Sequence, residues 1–201
     1  MIALDMPQYS EEWWKARTGV PSASCFDKII TTTGKPSKQA QAYMHQLAGE
    51  RIAGAKPDTY QSAAMQRGIE LEAEARKLFE LVEGVEVQQV GICYFDERKQ
   101  FACSPDGLIL DSGLEIKCPL IHTHVSYLLD GRLPSDYFQQ VQGSMLVTGL
   151  PTWFFCSYYP GLPPLIIRVE RDIPFILMLK TELEKFCKEL DAVEKRLRGL
   201  A

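Results

Sequence analysis

The sequence predicts a mixed α/β domain with a central sheet flanked by helices. Three observations point there. Two long stretches before residue 84 carry apolar side chains near a period of 3.6, and short β-branched and aromatic runs separated by polar turns follow them. A last pair of strand-like runs then leads into a long helical C-terminus. The 201 residues, 46% hydrophobic and 24% charged, suffice for one substantial core, and residues 1–201 are expected to form a single domain.

The elements follow in chain order. Ser10-Glu11-Glu12 before Trp13 and Trp14 reads as a capped short helix, and Ser22-Ala23-Ser24 before Cys25 and Phe26 as the cap of a second. Residues 31–38 form a polar loop. Its Thr33-Gly34-Lys35-Pro36-Ser37 is not a phosphate loop, because the first glycine of that motif is missing and proline follows the lysine. Ser37 is expected to cap a helix with Ala40, Met44, Leu47, Ala48 and Ile52 inward, and a longer helix should run from Gln61 to Glu83 with Met65, Ile69, Ala75, Leu78, Phe79 and Val82 buried. Residues 85–95, 101–104, 108–110 and 113–118 read as successive strands, 136–148 as a helix, 152–159 and 165–169 as a strand pair broken by Pro160-Gly161, and 172–198 as the last helix.

No apolar run approaches the roughly 20 residues needed to span a bilayer, and the N-terminus lacks a basic region followed by an apolar stretch, so a cytoplasmic protein without membrane contact is expected. Six cysteines lie singly in apolar surroundings with no Cys-x-x-Cys pair, which argues for reduced core residues rather than disulfides, zinc or an iron–sulfur cluster. A net charge of −4 and a pI near 5.5 speak against a nucleic-acid partner unless clustered acids bind a divalent metal, whose charge reverses the local sign.

Such a cluster is present. Asp106 sits in a Pro-Asp-Gly turn, and alternation along the strand after it puts Glu115 and Lys117 on one face while Leu114 and Ile116 enter the core. A hairpin-like return can bring Asp106 beside Glu115. Two carboxylates and the Ile116 backbone carbonyl are the hard oxygen donors Mg²⁺ prefers, and the arrangement suits metal-assisted phosphodiester cleavage. Lys117 would orient or deprotonate the attacking water; its role as base or as charge stays open. Glu72 falls on the inner face of its helix and needs a metal, a hydrogen-bond donor or an ion pair with Arg76 at i+4. His122 and His124 read as surface residues of a loop, and a hard cation prefers oxygen, which leaves them without a role.

Five segments extend the pattern over most of the chain. They are Trp13-Trp14-Lys15-Ala16-Arg17-Thr18-Gly19 leading to Ser22-Ala23-Ser24; Gly68 to Glu72 continuing into Ala75-Arg76-Lys77-Leu78-Phe79-Glu80; Cys103-Ser104-Pro105-Asp106-Gly107-Leu108; Leu114-Glu115-Ile116-Lys117-Cys118-Pro119; and Gln140-Val141-Gln142 with Ser144-Met145. In this order the chain resembles the lambda-exonuclease-like viral recombinase family of the PD-(D/E)xK nuclease superfamily.

The resemblance implies the restriction-endonuclease-like fold and a Mg²⁺-dependent 5′–3′ exonuclease. Such an enzyme digests one strand of linear duplex DNA processively to mononucleotides and leaves a 3′ overhang for a single-strand annealing protein. It implies two Mg²⁺ ions, replaceable by Mn²⁺, and a homotrimeric ring around the DNA. Asp106, Glu115, Lys117 and Glu72 match the catalytic and metal positions. Arg17 matches the residue that receives the 5′-phosphate, with Ser24, Ser104 and Gln140 completing that pocket, and Met65 matches an apolar position that parts the strands. Trp13 and Trp14 read as packing residues, one of them beside the DNA. Other outcomes are a different nuclease on the same fold, such as an endonuclease, or a non-catalytic DNA-end-binding protein with a broken metal site. Isolated cysteines disfavour an iron–sulfur nuclease.

Overall fold

A computed structural model describes residues 1–54 and 63–200. Among the described residues seven strands form two sheets: β1 (Ile2–Leu4), β2 (Ile92–Tyr94) and β3 (Ala102–Cys103) in an antiparallel set, and β4 (Gly107–Ile109), β5 (Ser112–Lys117), β6 (Thr152–Ser157) and β7 (Leu165–Glu170) in a mixed one. In the second sheet β5 and β6 are parallel and the outer pairs antiparallel. Parallel neighbours need a crossover. Here it holds two helices, α4 (Ile121–Asp130) and α5 (Phe138–Thr148), with a 3₁₀ turn (Ser135–Tyr137) between them. The remaining helices are α1 (Glu11–Arg17), α2 (Ala40–Ala53), α3 (Ala63–Glu83) and α6 (Ile173–Arg198).

Helix signals at five ends are obeyed. Ser10 accepts the Trp13 N–H and caps α1, Asp172 accepts the Phe175 N–H and caps α6 with a proline in the first turn, and α2, α4 and α5 each stop at a left-handed glycine. Other expectations are corrected. Ser22 precedes a 3₁₀ helix (Ala23–Lys28) and makes no side-chain cap, and Ser37 accepts the N–H of Gln39, the residue before α2, instead of capping the helix itself. Ile52 and Val82, placed inward by periodicity, are exposed; in the last turn of α2 it is Glu50 and Arg51 that meet Gly19 and α6. The expected start of the long helix at Gln61 falls outside the described residues.

The expected strand over 85–95 is three residues long, because that segment divides its pairing between the sheets. Gln88 bridges Leu108 of β4, whereas Ile92–Tyr94 pairs with the unforeseen β1. The histidine loop is helix α4. His122 is exposed, but His124 is fully buried, with Nδ1 on the Ser157 hydroxyl and Nε2 on the Pro163 carbonyl. The apolar period of α4, Ile121, Val125 and Leu129, faces solvent instead.

The mixed sheet lies between apolar clusters. Leu114, Ile116, Cys156 and Tyr158 pack with Ala75 and Phe79 of α3, while α5 carries Val141 and Met145 into the cluster holding Trp153, Phe26, Leu179 and Leu183. β5 is therefore buried almost throughout, as its near-continuous pattern requires of a central strand. Gly113 stands opposite Trp153 of β6, and a Cβ there would lie 2.2 Å from the buried indole. We expect Gly113→Ala to lose about 1–3 kcal/mol of unfolding free energy, measured by urea denaturation, since the rigid ring has no room to retreat.

Candidate active site

β4 stops pairing with β5 at Gly107 and Leu114. Asp106, just before β4, donates its N–H to the Leu114 carbonyl at 3.0 Å, and its Oδ2 accepts the Ile116 N–H at 2.6 Å. The carboxylate thus satisfies a strand donor that β4 no longer reaches. Alternation in β5 aims the Ile116 carbonyl to this same side, whereas the Lys117 carbonyl turns to β6 and accepts the Tyr158 N–H.

Glu115 and Lys117 share the opposite face to Leu114 and Ile116. Glu115 is only 2% exposed, and its Oε1 accepts from Lys117 Nζ at 2.5 Å and from Gln140 Nε2 of α5 at 2.6 Å. The ammonium also lies 5.2 Å over the Tyr137 ring. Glu72 of α3 is paired with Arg76 one turn on, the alternative its helical spacing allowed, and Arg76 Nε donates to the Asp106 backbone carbonyl at 3.0 Å. One guanidinium therefore ties the helix carboxylate to the strand turn.

These charges perturb one another. Burial, then Glu115 and Glu72, push the Asp106 carboxyl well above the usual carboxylate range. Burial also raises Glu72, against the pull of Arg76. Burial alone would lower the Lys117 ammonium, but Glu115 and Asp106 outweigh it and hold it above an ordinary lysine. Three carboxyl groups against two cations make a site that a divalent ion would relieve. Among the described residues no three His, Cys, Asp or Glu side chains form a preassembled cage. Asp106, Glu115 and the Ile116 carbonyl are the oxygen donors that could hold such an ion.

A second group of donors lies along the same cleft, which encloses about 530 Å³. Arg17, at the end of α1, donates to Ser24 at 2.6 Å and to Ser104 at 3.4 Å, with its guanidinium 5.0 Å over the Trp13 ring. Trp13 Nε1 donates to the Gly91 carbonyl and to Ser104, which makes Trp13 a packing residue and a brace for the pocket. The turn after Arg17 is gripped on both sides: the Gly19 N–H by Glu50 and its carbonyl by Arg51. Arg17, Ser24 and Ser104 come together as expected, while Gln140 instead contacts Glu115. Both ends line one cleft. The Met65 side chain lies outside the described residues.

Sequence reasoning missed the Arg76 bond to Asp106, the Tyr137 ring under Lys117 and Tyr9 at the cleft wall. Position i+4 signalled Arg76 as a partner for Glu72, but nothing local signals a backbone acceptor 30 residues away.

The family model described as a YqaJ-like viral recombinase domain matches residues 12–151. No curated protein matches the chain. Among solved structures, the alkaline exonuclease LHK-Exo from Laribacter hongkongensis is 35% identical with a TM-score of 0.85, over 94% of this chain and 96% of that one. LHK-Exo in complex with dAMP matches at 34% identity with the same TM-score and coverage. A phage-related exonuclease from Haemophilus somnus 129PT shares the fold at 16% identity, with a TM-score of 0.71 over 89% of this chain and 96% of that one.

Because the folded Asp106 carboxyl is raised, its contribution to the metal-free fold is present at low pH and fades as pH rises through its folded value. A bound cation reverses this, since protons compete with it for the same oxygens. Adding Mg²⁺ or Mn²⁺ should raise the melting temperature more at pH 8 than at pH 6, approaching about 2.7 kcal/mol of stabilisation at a hundredfold excess over Kd. In differential scanning fluorimetry Asp106→Asn should respond to neither ion.

Proposed function

The chain belongs to the YqaJ-like viral recombinase family and has the PD-(D/E)xK nuclease fold, and on that footing we propose that it is a Mg²⁺-dependent 5′–3′ exonuclease of linear double-stranded DNA. Its products are mononucleotides and a 3′ overhang. The observation that supports this most is the sharing of one cleft by two donor groups of different chemistry. Asp106, Glu115 and Lys117 stand at one end, and Arg17 with Ser24 and Ser104 at the other. LHK-Exo, an alkaline exonuclease, has been solved with dAMP, a nucleoside monophosphate of the kind such a reaction releases.

In the proposed reaction Arg17 takes the terminal 5′-phosphate, its planar fork pairing two phosphate oxygens while Ser24 and Ser104 hold the fork in place. Asp106, Glu115 and the Ile116 carbonyl would hold Mg²⁺, two ions in the full site, with Glu72 supporting them. When bound, the ions neutralise the non-bridging oxygens and acidify water. Lys117, kept charged by Glu115 and Asp106, orients the attacking water and screens charge on the scissile phosphate. Gln140 fixes Glu115 from the α5 side. A non-catalytic end-binding protein would need a broken donor set, and here both carboxylates and the lysine reach the cleft.

The remaining features are proposed from the family: a single domain over residues 1–201, a ring of three subunits that keeps hold of the duplex, and delivery of the overhang to a single-strand annealing protein. Met65 is proposed to part the strands at the junction. Cytoplasmic action accords with the absence, among the described residues, of any helix long and apolar enough to cross a membrane.

Lys117→Ala should bind DNA nearly as well as the wild type yet lose hydrolysis by about 10³-fold or more, near 4 kcal/mol at 1.4 kcal/mol per tenfold. Nucleotide release from a labelled duplex measures this, and persistent Mg²⁺-dependent digestion would refute the assignment. Arg17→Ala should erase the preference for 5′-phosphorylated over 5′-hydroxyl ends. Equal slowing on both ends would count against the pocket.

A further inference from the structure

Tyr9 occupies a backbone conformation that its side chain does not favour. Its φ is +67°, the left-handed region natural to glycine, and an aromatic residue there is strained. Only one other described residue besides glycine, Lys99, has positive φ, and it lies in an exposed turn. Strained residues persist where the surroundings fix them from both sides. Gln8, on one side, donates to the Val90 and Pro105 carbonyls, the second of these next to Asp106. Ser10, on the other, caps α1 and donates its N–H to the Pro7 carbonyl.

The fixed backbone delivers a ring to the cleft rather than to the core. Tyr9 lines the cavity, is 44% exposed, and sets its ring 5.3 Å from that of Trp13, the same indole that Arg17 covers. Partial burial of the phenol, then Glu72 and Asp106, push its pKa above that of an ordinary tyrosine, against the opposing pull of Lys117 and Arg17. All four groups are therefore within electrostatic reach of one side chain. A nucleotide with its 5′-phosphate at Arg17 and its 3′ linkage at the carboxylates must pass its sugar and base between those ends, and Tyr9 is the exposed ring beside that path.

We propose that Tyr9 forms a stacking subsite for the nucleobase of the terminal nucleotide on the strand being cleaved. The subsite rests on the exonuclease function proposed above. An aromatic face receives any base, which suits an enzyme that must release whatever nucleotide comes next. A residue kept for packing would be buried, and glycine would suit the backbone better; the strain is tolerated for the exposed ring.

The test compares kcat/KM for release of the first residue from two 5′-phosphorylated duplexes, one with a normal terminal nucleotide and one with an abasic terminal residue. Wild type should act on the abasic end on the order of 10-fold more slowly. Tyr9→Gly should slow release from the normal end by a similar factor and lose most of the discrimination, while melting no lower than wild type because glycine relaxes the φ strain. Tyr9→Phe should keep the discrimination. An equal abasic penalty in wild type and Tyr9→Gly overturns the subsite, as does a Tyr9→Phe protein that behaves like Tyr9→Gly, which would assign the hydroxyl rather than the ring. A Tyr9→Gly protein melting well below wild type would assign Tyr9 to packing and overturn it too. If wild type releases nothing from either duplex, the exonuclease function itself fails.

Discussion

The architecture turns on the place where β4 leaves β5. Strand pairing ends at Leu114, and the Ile116 N–H two residues on would be left without a partner inside the protein, at a cost of about 1–3 kcal/mol. The Asp106 carboxylate takes that N–H, and in doing so is drawn beside Glu115 and Lys117. A structural need thus assembles the acidic cluster. Buried charge demands compensation, and the flanking elements supply it: α3 through Arg76, which holds both Glu72 and the Asp106 backbone, and α5 through Gln140 on Glu115. The packing of α3 on Leu114 and Ile116 and the contact of α5 with the other side of the sheet keep these two compensating groups in register with the strand.

A second fixed point lies at Gly19. Glu50 holds its N–H, Arg51 its carbonyl, and Arg51 is anchored in turn by Asp191 and Glu194 of α6. The residue two places earlier is Arg17, so α2 and α6 together set where its guanidinium emerges. Trp13 links this point to the first, because its indole N–H reaches Ser104 and the Gly91 carbonyl while Ser104 leads through Pro105 to Asp106. The two ends of the cleft are therefore linked by hydrogen-bonded turns that are tied to helices α1, α2 and α6. For the proposed reaction such placement matters, since a misplacement of 1 Å can cost a hundredfold in rate.

What was legible in the sequence is what local chemistry determines. Alternation in Leu114-Glu115-Ile116-Lys117 assigns faces without any knowledge of the fold, and Pro-Asp-Gly marks the turn that presents Asp106. Most of the expected elements have counterparts that differ mainly at their ends, and the boundaries fail where tertiary context decides. Residues 85–95 look like one strand, yet their partners belong to two sheets. Helix α4 is hidden by its own pattern, for its apolar row faces outward while a histidine, satisfied by Ser157 and Pro163, is buried. Gln140 was expected at the phosphate end by resemblance and bonds Glu115 instead. The strain at Tyr9 has no sequence signature, because positive φ announces itself only when glycine or asparagine is present.

The acidic balance of the chain, −4 overall, also finds its physical place. Net charge governs approach from a distance, and screening confines it to about 10 Å in ordinary salt. Inside that range the cleft is not uniformly acidic: Arg17, Lys28 and Lys117 line it with Glu72, Asp106, Glu115 and Glu50. Glu50 is spent on Gly19 and Gln46, and Glu72 on Arg76, which leaves Asp106 and Glu115 as the carboxylates facing Lys117. In the proposed reaction, carboxylates that repel phosphate until a divalent ion arrives would make binding of a DNA end conditional on that ion. On that reading acidity is no argument against nucleic acid. A broadly basic surface would hold duplex DNA anywhere along its length, whereas under the proposed function this distribution would favour the cleft over the rest of the surface.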